Sequence, residues 1–248
     1  MRIIGIIPAR YASQRFPGKP LADIGGRTMV ERVYRQAKKS KVLERVVVAT
    51  DDERILREVK RFGGEVRVTS SRHRSGTDRV AEAASRLKIP GDGVVVNIQG
   101  DAPLLPPGMI DRLVKPFLAH PEVKMAALCC RIKDEGELSN PNIVKVILDK
   151  KEFALYFSRL PIPYLRDKTL NFKLSTLNYY KHIGPYAYRK SFLLKLARMV
   201  PTPLEKAEKL EQLRVLENGY RIKMVKTKYD CIEVDTPADL KKVRAICV

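Results

Sequence analysis

Tryptophan is absent from this 248-residue chain and aromatic residues make up only 7% of it. Four cysteines are present, Cys129, Cys130, Cys231 and Cys247, with no C-x-x-C spacing. Two of them are adjacent, an arrangement poorly suited to a shared disulfide or a tetrahedral metal site, so the reading is of buried thiols in a reducing cytoplasm. Long apolar runs are missing too. The opening Ile3 to Ile7 is broken by Pro8, short of the ~7–15 residues of a signal-peptide core and the ~20 of a membrane span. A cytoplasmic protein with no membrane association is expected. Acidic residues are scarce relative to basic ones, 28 against 48, for a net charge of +20. That imbalance draws anions such as nucleotides, acidic sugars, nucleic acid or anionic lipid. The cations are spread among Glu and Asp, and no basic block is flanked by aromatics for stacking bases, so nucleic acid is not the expected partner.

What is present is globular: 44% hydrophobic and 31% charged residues, in a length that buries roughly 70–75% of the unfolded surface. Short β-branched runs alternate with periodic charged segments. Arg2–Ile7 reads as a strand, Thr28–Lys39 as a helix, Val46–Ala49 as a strand, Glu53–Phe62 as a helix and Glu65–Val68 as a strand. The rhythm continues through a helix at Thr77–Leu87, a buried parallel strand at Gly93–Ile98 and a helix from Gly108 to Ala119. This predicts an α/β, doubly wound, mostly parallel sheet, with ligands at the carboxyl ends of its strands.

From Lys124 to Leu148 and around Ile183–Tyr188 the pattern turns to mixed or antiparallel strands. Leu160–Lys181 reads as a long excursion, suited to a lid or an oligomer contact. Helices are predicted over Lys190–Arg198 and Pro203–Glu217, a strand over Arg221–Lys226, and a last helix with Thr236 as N-cap and Pro237 at its first position.

Two constellations carry chemistry. Pro8 to Pro20 follows the first strand with Arg10, Ser13, Arg15, Gly18 and Lys19. Guanidinium forks, an ammonium and small residues that expose backbone N–H groups suit a triphosphate. The segment is not a Walker loop, since Pro20 follows Gly18-Lys19, and no G-x-G-x-x-G points to a dinucleotide. The second is Asn97-Ile98-Gln99-Gly100-Asp101, where an apolar strand delivers a carboxylate to the same sheet edge. Asp235, at the end of another predicted strand, is a second hard oxygen ligand, and two such carboxylates suit a Mg²⁺ completed by phosphate oxygens. Asp239 is its local rival, with helix-dipole complementation as the simpler role.

These segments resemble the 3-deoxy-manno-octulosonate (Kdo) cytidylyltransferases, or CMP-Kdo synthetases. The likeness rests on the opening motif through Leu21, on Val48-Ala49-Thr50-Asp51, on His73 to Arg79 and on Asn97 to Asp101. It extends through Asn140-Pro141-Asn142, Ala154 to Arg159, His182-Ile183-Gly184, Leu210 to Arg214 and Val234 to Pro237, essentially the whole chain. The opening motif is shared with other sugar cytidylyltransferases, including CMP-sialic acid synthetases.

The resemblance implies a nucleotidyltransferase of Rossmann-like type, a single domain over 1–248 with an inserted sugar-binding and dimerisation subregion at about 124–188. It implies transfer of CMP from CTP to the anomeric hydroxyl of Kdo, for lipopolysaccharide, with Mg²⁺ as cofactor and a homodimer as assembly. Lys19, Asp101 and Asp235 are then catalytic, and Asp101 and Asp235 hold the metal. Ala9, Arg10, Ser13, Arg15, Lys19, Arg74, Ser75, Gly76 and Gln99 bind nucleotide. Gln99, Arg159, His182, Tyr186, Glu211 and Gln212 bind the sugar acid. Against these stand plain helix capping by Ser75 or Thr77, a structural His182 and a solvated Glu211. One departure stands out: Ala102 follows Asp101 where the family usually has Glu. It keeps open an acceptor other than Kdo, such as its 8-amino analogue or another nonulosonic acid. From a different class, a non-catalytic anion-binding protein would bind in a salt-sensitive way without releasing pyrophosphate.

Overall fold

The computed structural model describes residues 1–12, 16–73, 75–166 and 179–247. In chain order the elements are β1 (Ile3–Ala9), β2 (Asp23–Ile24), β3 (Arg27–Thr28), α1 (Met29–Lys38), β4 (Arg45–Thr50), α2 (Glu53–Arg61) and β5 (Glu65–Val68). Next come α3 (Gly76–Arg86), β6 (Val94–Asn97), α4 (Pro107–Leu113), α5 (Lys115–Ala119), β7 (Met125–Arg131), α6 (Glu135–Ser139), β8 (Lys145–Leu148) and β9 (Ala154–Ser158). The chain finishes with β10 (Tyr180–Arg189), α7 (Lys190–Leu196), α8 (Pro203–Glu208), α9 (Glu211–Glu217), β11 (Lys223–Lys226) and α10 (Pro237–Ile246).

The main sheet runs β11-β7-β10-β6-β1-β4-β5. Strands β6, β1, β4 and β5 are parallel, whereas β10 runs antiparallel to both β6 and β7. Period-two alternation sends successive residues to opposite faces. In β1, Ile3 and Ile7 face one apolar layer with α1, α2 and α4, while Ile4 and Ile6 face the other with α3, α7 and α9. Val94 and Val96 of β6 likewise oppose Val95. Burial on both faces is why these strands read as unbroken apolar runs.

Crossovers from β1 to β4 and from β4 to β5 lie on the first face, and that from β5 to β6 on the second. The winding therefore reverses at β1, which opens a crevice at the carboxyl ends of β1 and β6.

The doubly wound, mostly parallel sheet is as expected, but several elements differ from the sequence reading. The helix expected over Gly108–Ala119 is two, α4 and α5, with Pro116 at the start of the second unable to donate to the preceding turn. That expected over Pro203–Glu217 breaks at Lys209, which adopts the left-handed conformation at φ 56°. β9 was missed because its run is short and pairs only with β8. The excursion is shorter than expected, since Tyr180 and Lys181 already pair within the sheet, and 167–178 fall outside the described residues. Cys129 and Cys130 are buried, but Cys231 and Cys247 are partly exposed; all four are free thiols. Among the described residues no helix is long and apolar enough to cross a membrane.

Candidate active site

Three segments deliver side chains to the crevice, each for a local reason; two follow β1 and β6, and the third, expected to be the end of a strand at Asp235, is irregular chain between β11 and α10. After β1 the chain reverses at Gly18, whose φ of 72° suits glycine and whose N–H donates to the Tyr11 carbonyl at 2.9 Å. A Cβ there would meet the Tyr11 ring at 3.2 Å. This reversal starts the short 3-10 turn Lys19–Leu21 and turns Lys19 back toward the sheet. After β6, Gly100 passes so close to β1 that a Cβ would lie 2.7 Å from the Pro8 carbonyl oxygen. Asp101 is thereby set beside the end of β1. Asp235 precedes α10, where Thr236 and Asp239 form a reciprocal capping box. Asp239 is thus engaged as a cap, and Asp235 is the residue that reaches the crevice.

The Lys19 ammonium sits between the two carboxylates, 2.8 Å from Asp101 Oδ2 and 3.4 Å from Asp235 Oδ1. Asp101 Oδ1 is buried and, among the described residues, has no hydrogen-bond partner. These groups line a cleft of about 470 Å³ with Ala9, Arg10, Ser75, Gly76 and Gln99. Ser75 also caps α3, accepting from the Asp78 N–H at 3.0 Å, so capping and cleft lining coincide. Ser13, Arg15 and Arg74 lie outside the described residues.

Sequence reasoning missed two cleft residues, His73 and Arg79. Arg79 is buried, donates to Thr69 Oγ1 at 2.6 Å and lies 3.1 Å from Asp51. His73 is tied to Glu82. The signal was the pair of segments at 48–51 and 73–79, which this ion pair brings together.

Gln99 lines a second cavity as well, of about 770 Å³, together with His182, Tyr186 and Gln212. It is held by donation from Nε2 to the Gly184 carbonyl at 3.0 Å. Gly184 and Pro185 are extra residues in β10, since Ile183 pairs with Leu128 and Tyr186 with Ala127. Such a bulge re-aims side chains beside a site. The His182 and Tyr186 rings stack, with centroids 4.9 Å apart, and the Tyr186 hydroxyl donates to Gln212 Oε1 at 3.2 Å. His182 Nε2 is buried and, among the described residues, without a partner; burial pushes its pKa down to about 4, so the imidazole is neutral.

Acidic residues that sequence reasoning did not single out also line this cavity. Glu137 and Asp230 accept from the Lys181 ammonium at 2.6 and 2.8 Å. Glu233 is pushed up to about 7 by the desolvating wall around it and then by the like charges of Asp101 and Asp235.

Two expected sugar ligands lie outside the lining of both cavities. Arg159 donates to the carbonyls of Glu208 at 2.7 Å and Pro141 at 2.9 Å. Glu211 accepts from the Thr77 hydroxyl, tying α9 to α3, and burial raises its carboxyl above the ordinary range.

The chain matches the cytidylyltransferase family model over residues 4–224. The chain belongs to the cytidylyltransferase family. It is 52% identical to the 3-deoxy-manno-octulosonate cytidylyltransferase of Geobacter metallireducens, over 98% of this chain and 96% of that protein. It is 53% identical to that of Geotalea uraniireducens, over 98% of each. A solved structure of CMP:2-keto-3-deoxy-manno-octonic acid synthetase complexed with CTP superposes with a TM-score of 0.91 at 38% identity, covering 99% of this chain and 98% of that one. A 4-diphosphocytidyl-2C-methyl-D-erythritol synthase from Anaerococcus prevotii, at 18% identity and a TM-score of 0.61, shares the cytidylyltransferase's fold.

Proposed function

We propose that this cytidylyltransferase moves CMP from CTP to the anomeric hydroxyl of Kdo and releases pyrophosphate, an activation that serves lipopolysaccharide assembly. The observation that carries the reading is Lys19 held between Asp101 and Asp235 at the mouth of β1 and β6, with Gln99 bordering both the cleft and the second cavity. The relatives' names supply the acceptor.

CTP occupies the first cleft and the sugar acid the second, so that the attacking hydroxyl meets the α-phosphate beside Gln99. Phosphoryl transfer is catalysed chiefly by positioning and charge. Arg10 and Lys19 hold phosphoryl oxygens, with Ser13, Arg15 and Arg74 assigned by the motif. Neutral His182, Tyr186 and Gln212 offer hydrogen bonds to hydroxyls without repelling an anionic sugar. Arg159 and Glu211 act on it through the elements they tie.

The donor set suits Mg²⁺: two carboxylates converge on one cation, and an orphaned Asp101 oxygen is ready for another. Among the described residues no cluster of three or more acidic, histidine or cysteine side chains offers a complete protein shell, so the remaining ligands would be phosphate and water. Bound there, the ion would lower the pKa of an acceptor hydroxyl and offset phosphate charge.

A homodimer built on 124–188, the sugar-binding and dimerisation subregion, is supported by the outer strand β9 and by exposed Leu155, Leu160 and Tyr164. A reducing cytoplasm suits the free thiols; burial pushes those of Cys129 and Cys130 up to about 12 and about 11.

The test is pyrophosphate release from CTP with Kdo, 8-amino-Kdo or N-acetylneuraminate, with UTP and ATP as controls and Mg²⁺ varied. Release with CTP and Kdo alone is expected. Asp101→Asn and Asp235→Asn each remove most turnover, and near-wild-type rates at limiting Mg²⁺ would overturn the shared-metal assignment.

A further inference from the structure

Besides Gln99, which borders both cavities, one side-chain contact joins their walls. Ser75 and Gly76 line the nucleotide cleft, and the next residue, Thr77, is buried. Leu210 and Gln212 line the second cavity, and the residue between them is Glu211. The Thr77 hydroxyl donates to Glu211 Oε1 across 134 residues of chain. Each partner is the immediate neighbour of residues that face a ligand space, and neither lines one itself.

The two ends of this contact are held differently. The start of α3 is fixed by its own sequence, because Ser75 and Asp78 cap each other reciprocally. The start of α9 has no such device. Its N-cap residue is Leu210, which offers no side-chain acceptor, and Lys209 before it turns the chain away from α8 in a left-handed conformation. Among the described residues, the side-chain hydrogen bonds that reach Glu211 and Gln212 from other elements come from Thr77 and from Tyr186. Arg214, on α9 itself, lies further from Glu211, at 3.9 Å, and is paired with Glu205. The wall made by Leu210 and Gln212 therefore takes its position in part from α3, the helix that opens on the nucleotide cleft.

We propose that the Thr77–Glu211 hydrogen bond is a positioning contact that couples the two sites, so that a nucleotide settled against the start of α3 sets Leu210 and Gln212 for the acceptor. The inference rests on the reading above that CTP takes the first cleft and Kdo the second. A wall ordered by the first ligand costs the second less to order, and linkage makes the effect reciprocal. Glu211 is then a positioning residue, acting on the acceptor through its neighbours.

The experiment is calorimetry on the full-length protein with Mg²⁺, using α,β-methylene-CTP, whose carbon bridge blocks pyrophosphate release. Kd for Kdo is measured without and with saturating analogue, and Kd for the analogue without and with saturating Kdo. In the wild type each ligand is expected to tighten the other by the same factor, about tenfold. Thr77→Val, which keeps the shape and removes the hydroxyl, and Glu211→Ala, which removes the acceptor oxygen, each bring that factor to within about twofold of unity, and the double variant loses no more than either. Thr77→Ser and Glu211→Gln keep donor and acceptor and retain the coupling. Thermal unfolding is followed in parallel: a contact that is structural alone lowers Tm and weakens both ligands with the factor intact, which would overturn the proposal. A wild type that binds both ligands independently would overturn it as well. So would a Glu211→Ala loss of Kdo affinity equal with and without the analogue beside a wild-type Thr77→Val, since Glu211 would then be a direct ligand. A wild type that binds the analogue and takes up no Kdo in its presence would overturn the two-cavity reading, and this inference with it.

Discussion

Replacing Lys145 by methionine tests whether a buried charge shapes the second cavity from behind. Lys145 is fully buried, and its ammonium donates to the carbonyls of Asn140 at 2.9 Å and Ile143 at 2.7 Å. The same loop is held by Arg159 through the Pro141 carbonyl, and its residues Asn142 and Ile143 line the cavity. Methionine keeps the length and removes the charge. The Asn140 carbonyl would retain the Ile143 N–H at 3.1 Å, whereas the Ile143 carbonyl would lose its donor. Hydrogen bonds to a charged group contribute about 1.5–3 kcal/mol each. Against that stands relief of the buried ammonium, whose pKa is pushed below the ordinary lysine range by desolvation and then by Arg159. A net destabilisation of about 2 kcal/mol results, which for a domain of this size lowers Tm by roughly 4–8 °C. Calorimetry reads the first effect. Steady-state kinetics reads the second, an acceptor KM raised several-fold with KM for CTP unchanged. A Lys145→Met protein with wild-type Tm and acceptor KM would refute the reasoning.

Three further outcomes follow from the same geometry. Gly100→Ala drives a Cβ into the Pro8 carbonyl oxygen, parting the ends of β1 and β6; CTP affinity measured by calorimetry falls at least tenfold, and wild-type affinity would contradict the close approach. His182 stays neutral down to about 4 in the folded chain against 6.5 when free. Between those values the unfolded chain binds more protons, so stability present above pH 6.5 is lost as pH falls toward 4, by up to about 3 kcal/mol. His182→Phe removes that component, and denaturant unfolding at pH 7 and pH 4.5 checks it. Arg214→Met strands Glu205, whose carboxylate caps α8 and pairs with Arg214 in a largely buried site. Unfolding free energy drops by about 3 kcal/mol, and a loss under 1 kcal/mol would show the pair to be dispensable.

The sequence by itself determined what depends on local chemistry. Alternating apolar runs and periodic segments placed β1, α1, β4, α2, β5, α3 and β6 to within a residue or two, because strands buried on both faces and amphipathic helices each leave a period. Thr236 as N-cap was legible for the same reason, as was the delivery of Lys19 and Asp101 beyond the carboxyl ends of β1 and β6, whereas Asp235, expected at the end of a strand, comes from irregular chain before α10. Tertiary structure decided what depends on partners distant in the chain. Lys19 meets Asp101 and Asp235 across separations of 82 and 216 residues. Arg159 donates to the carbonyls of Pro141 and Glu208, and Glu211 accepts from Thr77, contacts with partners far along the chain. Neither a guanidinium nor a carboxylate carries in its own sequence any mark of which distant groups it will meet. Glu233 was passed over for the same reason: its place beside Gln99 depends on a bulge in β10, and the register of a strand against its neighbours is set by packing of the whole sheet.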